Sequence, residues 1–407
     1  MTPPATTAAA SLDAGPVAPA LAAHPPLTTF LLNVAHAIDH LVLLIFATAV
    51  GTIAVDFGFA RWEDLMPYAT GAFLLFGLGS VPAGRLGDQW GRRAMMIVFF
   101  FGIGASCLLA AVTQNAWQLA AALTVMGAFA SIYHPVGIPM LVQHTTRPGA
   151  VIGVNGLTGN LGIAAAAVMT GLLVKYFGWR VAFVVPGLIT IALGILFWRV
   201  VAPEHAPPSK RAPKQSDLPR SELVRAVLIL TITSTCGSLV FNFTTNGNGE
   251  LMSDRLRAIT ADPAVVGALL GIVYVVASFA QLFVGRAIDR FPLKRLFLFI
   301  VLTQIPLFLL AMYLTGWAFF AAAIAFMAFV FGAIPFTDAV IVRYVDDRMR
   351  SRVAGVRLAI AFGVSSLAVW LLGPLVKANG FAFLLGLMAV IAAVSAVAVT
   401  QLPQTRR

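Results

Sequence analysis

Apolar residues run along this chain in long blocks separated by short polar stretches. Twelve blocks can be marked, at about 28–54, 66–83, 94–113, 117–142, 150–174, 180–201, 223–247, 264–284, 296–315, 317–342, 353–375 and 379–400. At about 1.5 Å of rise per helical residue, each can cross a hydrocarbon layer of about 30 Å. The pattern predicts an all-α polytopic membrane protein with twelve transmembrane helices, numbered here as spans 1 to 12. An even number places both termini on one side. The longest break, 203–222, contains Pro207, Pro208, Lys210, Arg211, Pro213 and Lys214 and reads as a linker between bundles at 28–202 and 223–400. Residues 1–27 and 401–407 read as tails; the first is rich in Ala, Pro and Thr, without Lys or Arg, and is expected to be disordered.

The blocks also repeat in kind. Between spans 2 and 3 stands Gly84-Arg85-Leu86-Gly87-Asp88-Gln89-Trp90-Gly91-Arg92-Arg93, and a weaker copy beginning Gly285-Arg286 and carrying Asp289 returns 201 residues later. Glycines, an acid and a basic cluster between apolar runs suit a very short turn, with Arg92 and Arg93 held among the headgroups. Gly153 aligns with Gly355, and Gly178 with Gly380, at an offset of 202. The spacing implies two parallel six-helix halves related by a pseudo-two-fold axis, with a cavity between them whose opening can alternate.

Composition narrows the class. With 59% hydrophobic residues, 11% charged and a mean hydropathy of +0.91, the chain has too little polar surface to be water-soluble. The net charge of +11 might suggest nucleic acid, but its distribution argues against that partner. Of the 27 Lys and Arg, 21 fall on the side of the 84–93 loop and 6 on the other. That is the positive-inside pattern, so the loop and both termini are expected to be cytoplasmic and the host layer a bacterial inner membrane. Cys107 and Cys236 both lie in apolar runs and read as packing residues. No nucleotide-binding glycine–lysine motif, nucleophile elbow or zinc-protease signature occurs, so neither an enzyme nor a cofactor is expected.

The Gly84–Arg93 stretch, with the repeat behind it, resembles the major facilitator superfamily over about residues 28 to 400. The resemblance implies a monomeric twelve-helix transporter whose spans 1, 4, 7 and 10 line the cavity. It also implies a cytoplasmic conformational latch built from Gly84, Asp88, Gly91, Arg92 and Arg93, a role that Asp289 repeats in the second half. The chain looks most like the drug-exporting branch, and His134-Pro135 resembles its fosmidomycin-resistance-like members. It departs from drug:proton antiporters in carrying Leu123 where they carry an arginine. It also lacks their span 5 proline beside Gly156, Gly159 and Gly162, glycines that still permit close helix approach. The expectation is secondary active transport, with proton-coupled export of a small organic compound or drug. Carriage of a transition metal or chelate is the alternative, and a non-transporting sensor or assembly protein is the alternative of another class.

Polar groups within the spans supply the candidate chemistry. In span 1, His36, Asp39 and His40 share one helical face, roughly 12 to 18 Å inside the inner boundary for the two histidines. An acid and two imidazoles are costly in a membrane unless paired or facing water. Three roles stay open: a proton couple, a transition-metal site completed by His134, or a fixed polar lock between helices. In span 4, Tyr133 and His134 precede Pro135, which removes an amide hydrogen bond and predicts a bend facing solute. Span 7 ends in the polar run Asn242 to Glu250; it is expected to break the helix and point Asn242 and Asn246 at solute. Asp338, near Arg343 and Arg357, is a candidate cavity or inner-gate acid with those arginines as partners. Asn155, Asn160, Gln281 and Gln304 read as interhelical amides.

Overall fold

The computed structural model describes residues 26–143, 145, 148–203, 220–336 and 347–402, and the ordered structure there is helical throughout. Helix α1 covers Pro26–Asp56. The second apolar block is a broken element: α2 (Trp62–Leu65), a 3₁₀ turn (Met66–Ala69), α3 (Thr70–Leu78) and α4 (Ser80–Trp90). It bends by 45° between α3 and α4. Then come α5 (Arg92–Ala111), α6 (Ala116–Ala130), a π-turn (Tyr133–Gly137), α7 (Ile138–Val142), α8 (Pro148–Phe177) and α9 (Trp179–Val200). The remainder is α10 (Arg220–Arg255), α11 (Pro263–Arg290), α12 (Leu293–Ala311), α13 (Gly316–Gly332) and α14 (Asp347–Thr400).

Among the described residues, ten helices are long and apolar enough to cross a membrane, or eleven with the bent pair counted as one. The chain is therefore a multi-pass membrane protein. Its apolar run 359–400 has 42 residues, about twice what one crossing needs, and α14 turns inside it at Gly380 with φ 77°.

Two expectations need correction. Most of the 84–93 stretch is helix rather than turn, because Gly84 through Trp90 continue α4 and the chain reverses only at Gly91, with φ 90°. That φ is cheap only for glycine, so one residue suffices. The polar end of span 7 does not break either: α10 is continuous to Arg255. Its hydroxyls and amides bond back to the helix, with Thr244 and Thr245 donating to Val240 O and Phe241 O, and Asn246 to Asn242 O. Of the expected linker, 204–219 lies outside the described residues, and 220–222 already belongs to α10.

The internal repeat is visible in three dimensions. Gly178 (φ 87°) and Gly380 (φ 77°) make equivalent reversals 202 residues apart. Arg93 donates to Trp198 O (2.6 Å) and Val201 O (2.5 Å), binding the end of α9. Lys294, 201 residues on, donates to Thr400 O (2.5 Å) and Leu402 O (3.0 Å) at the end of α14. Opposite the motif end, Lys175 of α8 bridges to Asp262 before α11, and Lys377 of α14 bridges to Asp64 of α2 at 2.5 Å. These two lysines are also 202 residues apart.

Candidate functional site

The site forms where α1, the π-turn and α8 meet. Helix α8 approaches closely because it presents glycine: a Cβ on Gly162 would stand 2.1 Å from Ala37 O, and one on Gly159 2.6 Å from the His36 ring. The α6–α7 helix unwinds where Pro135 cannot donate, and five residues occupy a π-turn. That widening brings Tyr133 and His134 against the α1 face that carries His36, Asp39 and His40.

The ring of Tyr133, fully buried, stacks on His36 at 4.7 Å and 13°, and its hydroxyl donates to Leu32 O at 2.8 Å. His36 is buried, with Nδ1 2.7 Å from Asn155 O. A carbonyl only accepts, so Nδ1 carries the hydrogen and Nε2 keeps the lone pair. Nε2 lies 3.2 Å from His40 Nε2, which therefore donates when both rings are neutral. His134 stands edge-on to His36 (5.2 Å) and His40 (5.8 Å). One nitrogen from each of the three imidazoles falls within 4.8 Å of the others. Asp39 is fully buried; its carboxylate lies 3.7 Å from His134 Nε2 and has no hydrogen bond among the described residues. Phe76 of α3 and Phe362 of α14 close over His134 at 5.8 and 5.6 Å.

Asn155 ties this arrangement together. Its Nδ2 lies 2.7 Å from Tyr133 Oη and 2.9 Å from Asn33 Oδ1, and its carbonyl holds His36. Sequence reading classed it as an ordinary interhelical amide and missed Asn33 and Thr158, whose hydroxyl donates to Asn155 O at 2.8 Å. Only the buried amide about two turns inside α8 hints at the role. Gln304 does behave as expected, donating to Phe329 O across α12 and α13 at 3.0 Å.

The other expected site residues do not join the cluster. Asn242 and Asn246 are buried; their amide nitrogens serve the α10 backbone, while Asn246 Oδ1 has no hydrogen bond among the described residues. Asp338 and Arg343 lie outside the described residues. Arg357 falls on α14 and Asp289 on α11, which fixes only the helices that carry them. In the motif, Arg92 donates to Pro139 O (3.2 Å) and Gln143 Oε1 (3.1 Å), joining α5 to the end of α7. The backbones of Gly84 and Gly87 lie against Pro135 and Val136 of the π-turn, and Asp88 is exposed. The motif thus touches the segment that carries His134.

The family model of the Major Facilitator Superfamily matches residues 30–249, more than half of the chain. The chain belongs to that superfamily. Membership sets it among transporters rather than enzymes. It is 25% identical over 289 residues to the 4-hydroxybenzoate transporter PcaK of Pseudomonas aeruginosa, covering 61% of this chain and 63% of that protein. It is 26% identical over 157 residues to a tetracenomycin C resistance and export protein of Streptomyces glaucescens, covering 37% and 29%. The matches thus span less than two thirds of these curated relatives. A crystal structure of a bacterial homologue of the human lysosomal transporter Spinster, inward-facing and unoccupied, superposes with a TM-score of 0.67 at 14% identity. That likeness covers 92% of this chain and 94% of the other and concerns the fold.

Proposed function

We propose that the chain is a secondary active transporter that moves a small organic compound across the bacterial inner membrane by alternating access, as a proton-coupled exporter. One observation carries the coupling: a fully buried carboxylate, Asp39, stands without a hydrogen bond at 3.7 Å from His134, beside His36 and His40. A carboxylate so placed needs a proton or a cationic neighbour, and exchanging one for the other is what coupling requires. In this reading six helices of 28–202 and six of 223–400 form the two moving halves, with α14 supplying two crossings. Both termini and the motif are cytoplasmic. Gly84, Asp88, Gly91, Arg92, Arg93 and Asp289 form the latch, and Asp338 with Arg343 and Arg357 forms an inner gate. The relatives' names support an organic solute, since both aromatic acids and antibiotics appear among them.

The test is proton uptake per solute in proteoliposomes, with 4-hydroxybenzoate and tetracenomycin C as first solutes. Asp39→Asn is expected to abolish gradient-driven uphill flux while leaving solute exchange. Normal proton stoichiometry in that variant would sink the coupling role. A second reading rests on the three imidazole nitrogens within 4.8 Å of one another: a transition-metal ion as the transported substrate. Stoichiometric zinc binding by the parent, lost in His40→Ala, distinguishes it.

A further inference from the structure

At the end opposite the motif, a cavity of about 640 Å³ lies between α1, α2, α8, α10, α11 and α14. That volume is in the range of small-molecule sites, roughly 300–1,000 Å³. Its charged lining is two arginines against three acids. Arg61 is taken by Glu63, at 2.5 Å, and Arg257 by Asp254, at 3.5 Å. Glu250 is left, with no basic side chain at ion-pair distance among the described residues. Its carboxylate is held over the bare backbone of Gly51 on α1, where a Cβ would lie 3.0 Å from Oε1. Glu250 therefore crosses the seam between α10 and α1 and is the one acid of the lining without an arginine partner. The same cavity has an aromatic wall: Trp62 and Phe381 both line it and stack at 6.1 Å and 15°.

We propose that this cavity is a binding site for a monovalent organic cation with an aromatic or apolar body, recognised by Glu250 and the Trp62–Phe381 pair. A single carboxylate without an arginine partner, in a cavity with an aromatic wall, suits a large, weakly hydrated cation. A hard metal ion would require several converging oxygens, and the other two acids are engaged by arginine. The site is separate from the histidine cluster, and the proposal stands whether or not Asp39 carries the coupling proton.

The experiment is equilibrium binding to the purified full-length protein in detergent, with tetraphenylphosphonium and tetraphenylborate as probes of the same shape and opposite charge. The parent is expected to bind the cation saturably and the anion not. Glu250→Gln should weaken cation binding by roughly tenfold or more, and Glu250→Asp should retain most of it. Equal binding of both probes, no saturable cation binding, or unchanged affinity in folded Glu250→Gln overturns the proposal. Should Glu250→Gln fail to fold, carbodiimide labelling of the parent decides. Bound tetraphenylphosphonium must slow modification of Glu250, and an unchanged rate overturns the assignment equally. None of these readouts uses transport.

Discussion

Helices α1 and α10 hold equivalent places in the repeat, and His40 and Asn242 are 202 residues apart, yet His36 and Asp39 on the first and Asn242 and Asn246 on the second direct their polar groups differently. On α1 the polar groups reach outward: His36 to the carbonyl of Asn155, Asn33 to its amide and Asp39 towards His134. On α10 they fold inward, with Asn242 donating to Ser238 O and Asn246 to Asn242 O, each one turn back along the same helix. An amide nitrogen satisfied by its own helix costs little to bury, although Asn246 Oδ1 is left buried without a hydrogen bond among the described residues. An amide satisfied across three elements fixes those elements relative to each other. A polar residue inside a membrane helix therefore points to function only once its partners are known.

The most severe way to break this contrast is to push α8 off α1. Gly162→Leu would force a side chain into the space 2.1 Å from Ala37 O, and we expect stability to fall by about 3 kcal/mol or more. Gly237→Ala on α10 meets nothing within 4 Å and should be neutral or stabilising by up to about 1 kcal/mol. Denaturant unfolding in micelles measures both, and equal losses would mean that the two seams are packed alike.

A milder comparison uses the two amides. Asn155→Ala leaves Tyr133, Asn33 and their neighbours short of a partner and should cost about 1–3 kcal/mol. Asn242→Ala removes a bond to a carbonyl already inside the helix ladder and should cost under about 1 kcal/mol. If the second loss matches the first, Asn242 has a partner beyond its own helix and the contrast fails.

The smallest effect belongs to the exposed bridge at the opposite end. The hydrogen bond from Lys175 holds the Asp262 carboxyl below its ordinary range, with a further bond from Ala264 N. A carboxyl lowered on folding contributes stability that is complete above its unfolded value and lost as pH falls through the folded one. Acidification below about pH 4 should therefore separate parent from Lys175→Ala less and less. A difference that instead grows with acid, in melting curves, would show that the bridge is not the cause.

Much of this was legible in the chain, and the rest fails for identifiable reasons. The apolar blocks and their 201–202 offset mark the helices, because a membrane imposes length and leaves little else to vary. Pro135 announced a disturbed helix, though not that it would be a π-turn. The triad of residues 36, 39 and 40 was visible as one face, and His134 was expected across from it. Asn155 was not visible as a hub, since its role depends on contacts more than 100 residues away in sequence, to Asn33 and His36. The continuity of α10 was hidden because Asn, Thr and Gly are weak helix formers in water, whereas inside a membrane the helix is the cheapest way to satisfy their backbone.

The paired grips of Arg93 on the end of α9 and Lys294 on the end of α14 have a practical consequence for anyone attaching reporters to this protein. The ends of α9 and α14 are each fastened to a neighbouring helix by two bonds. A dye at Ala202 or Gln401, both exposed, is therefore expected to move with the helices beside it. Since Cys107 and Cys236 are buried, cysteines introduced at those two positions should label first. The distance between the two dyes then becomes a ruler laid between the ends of α9 and α14, readable one molecule at a time.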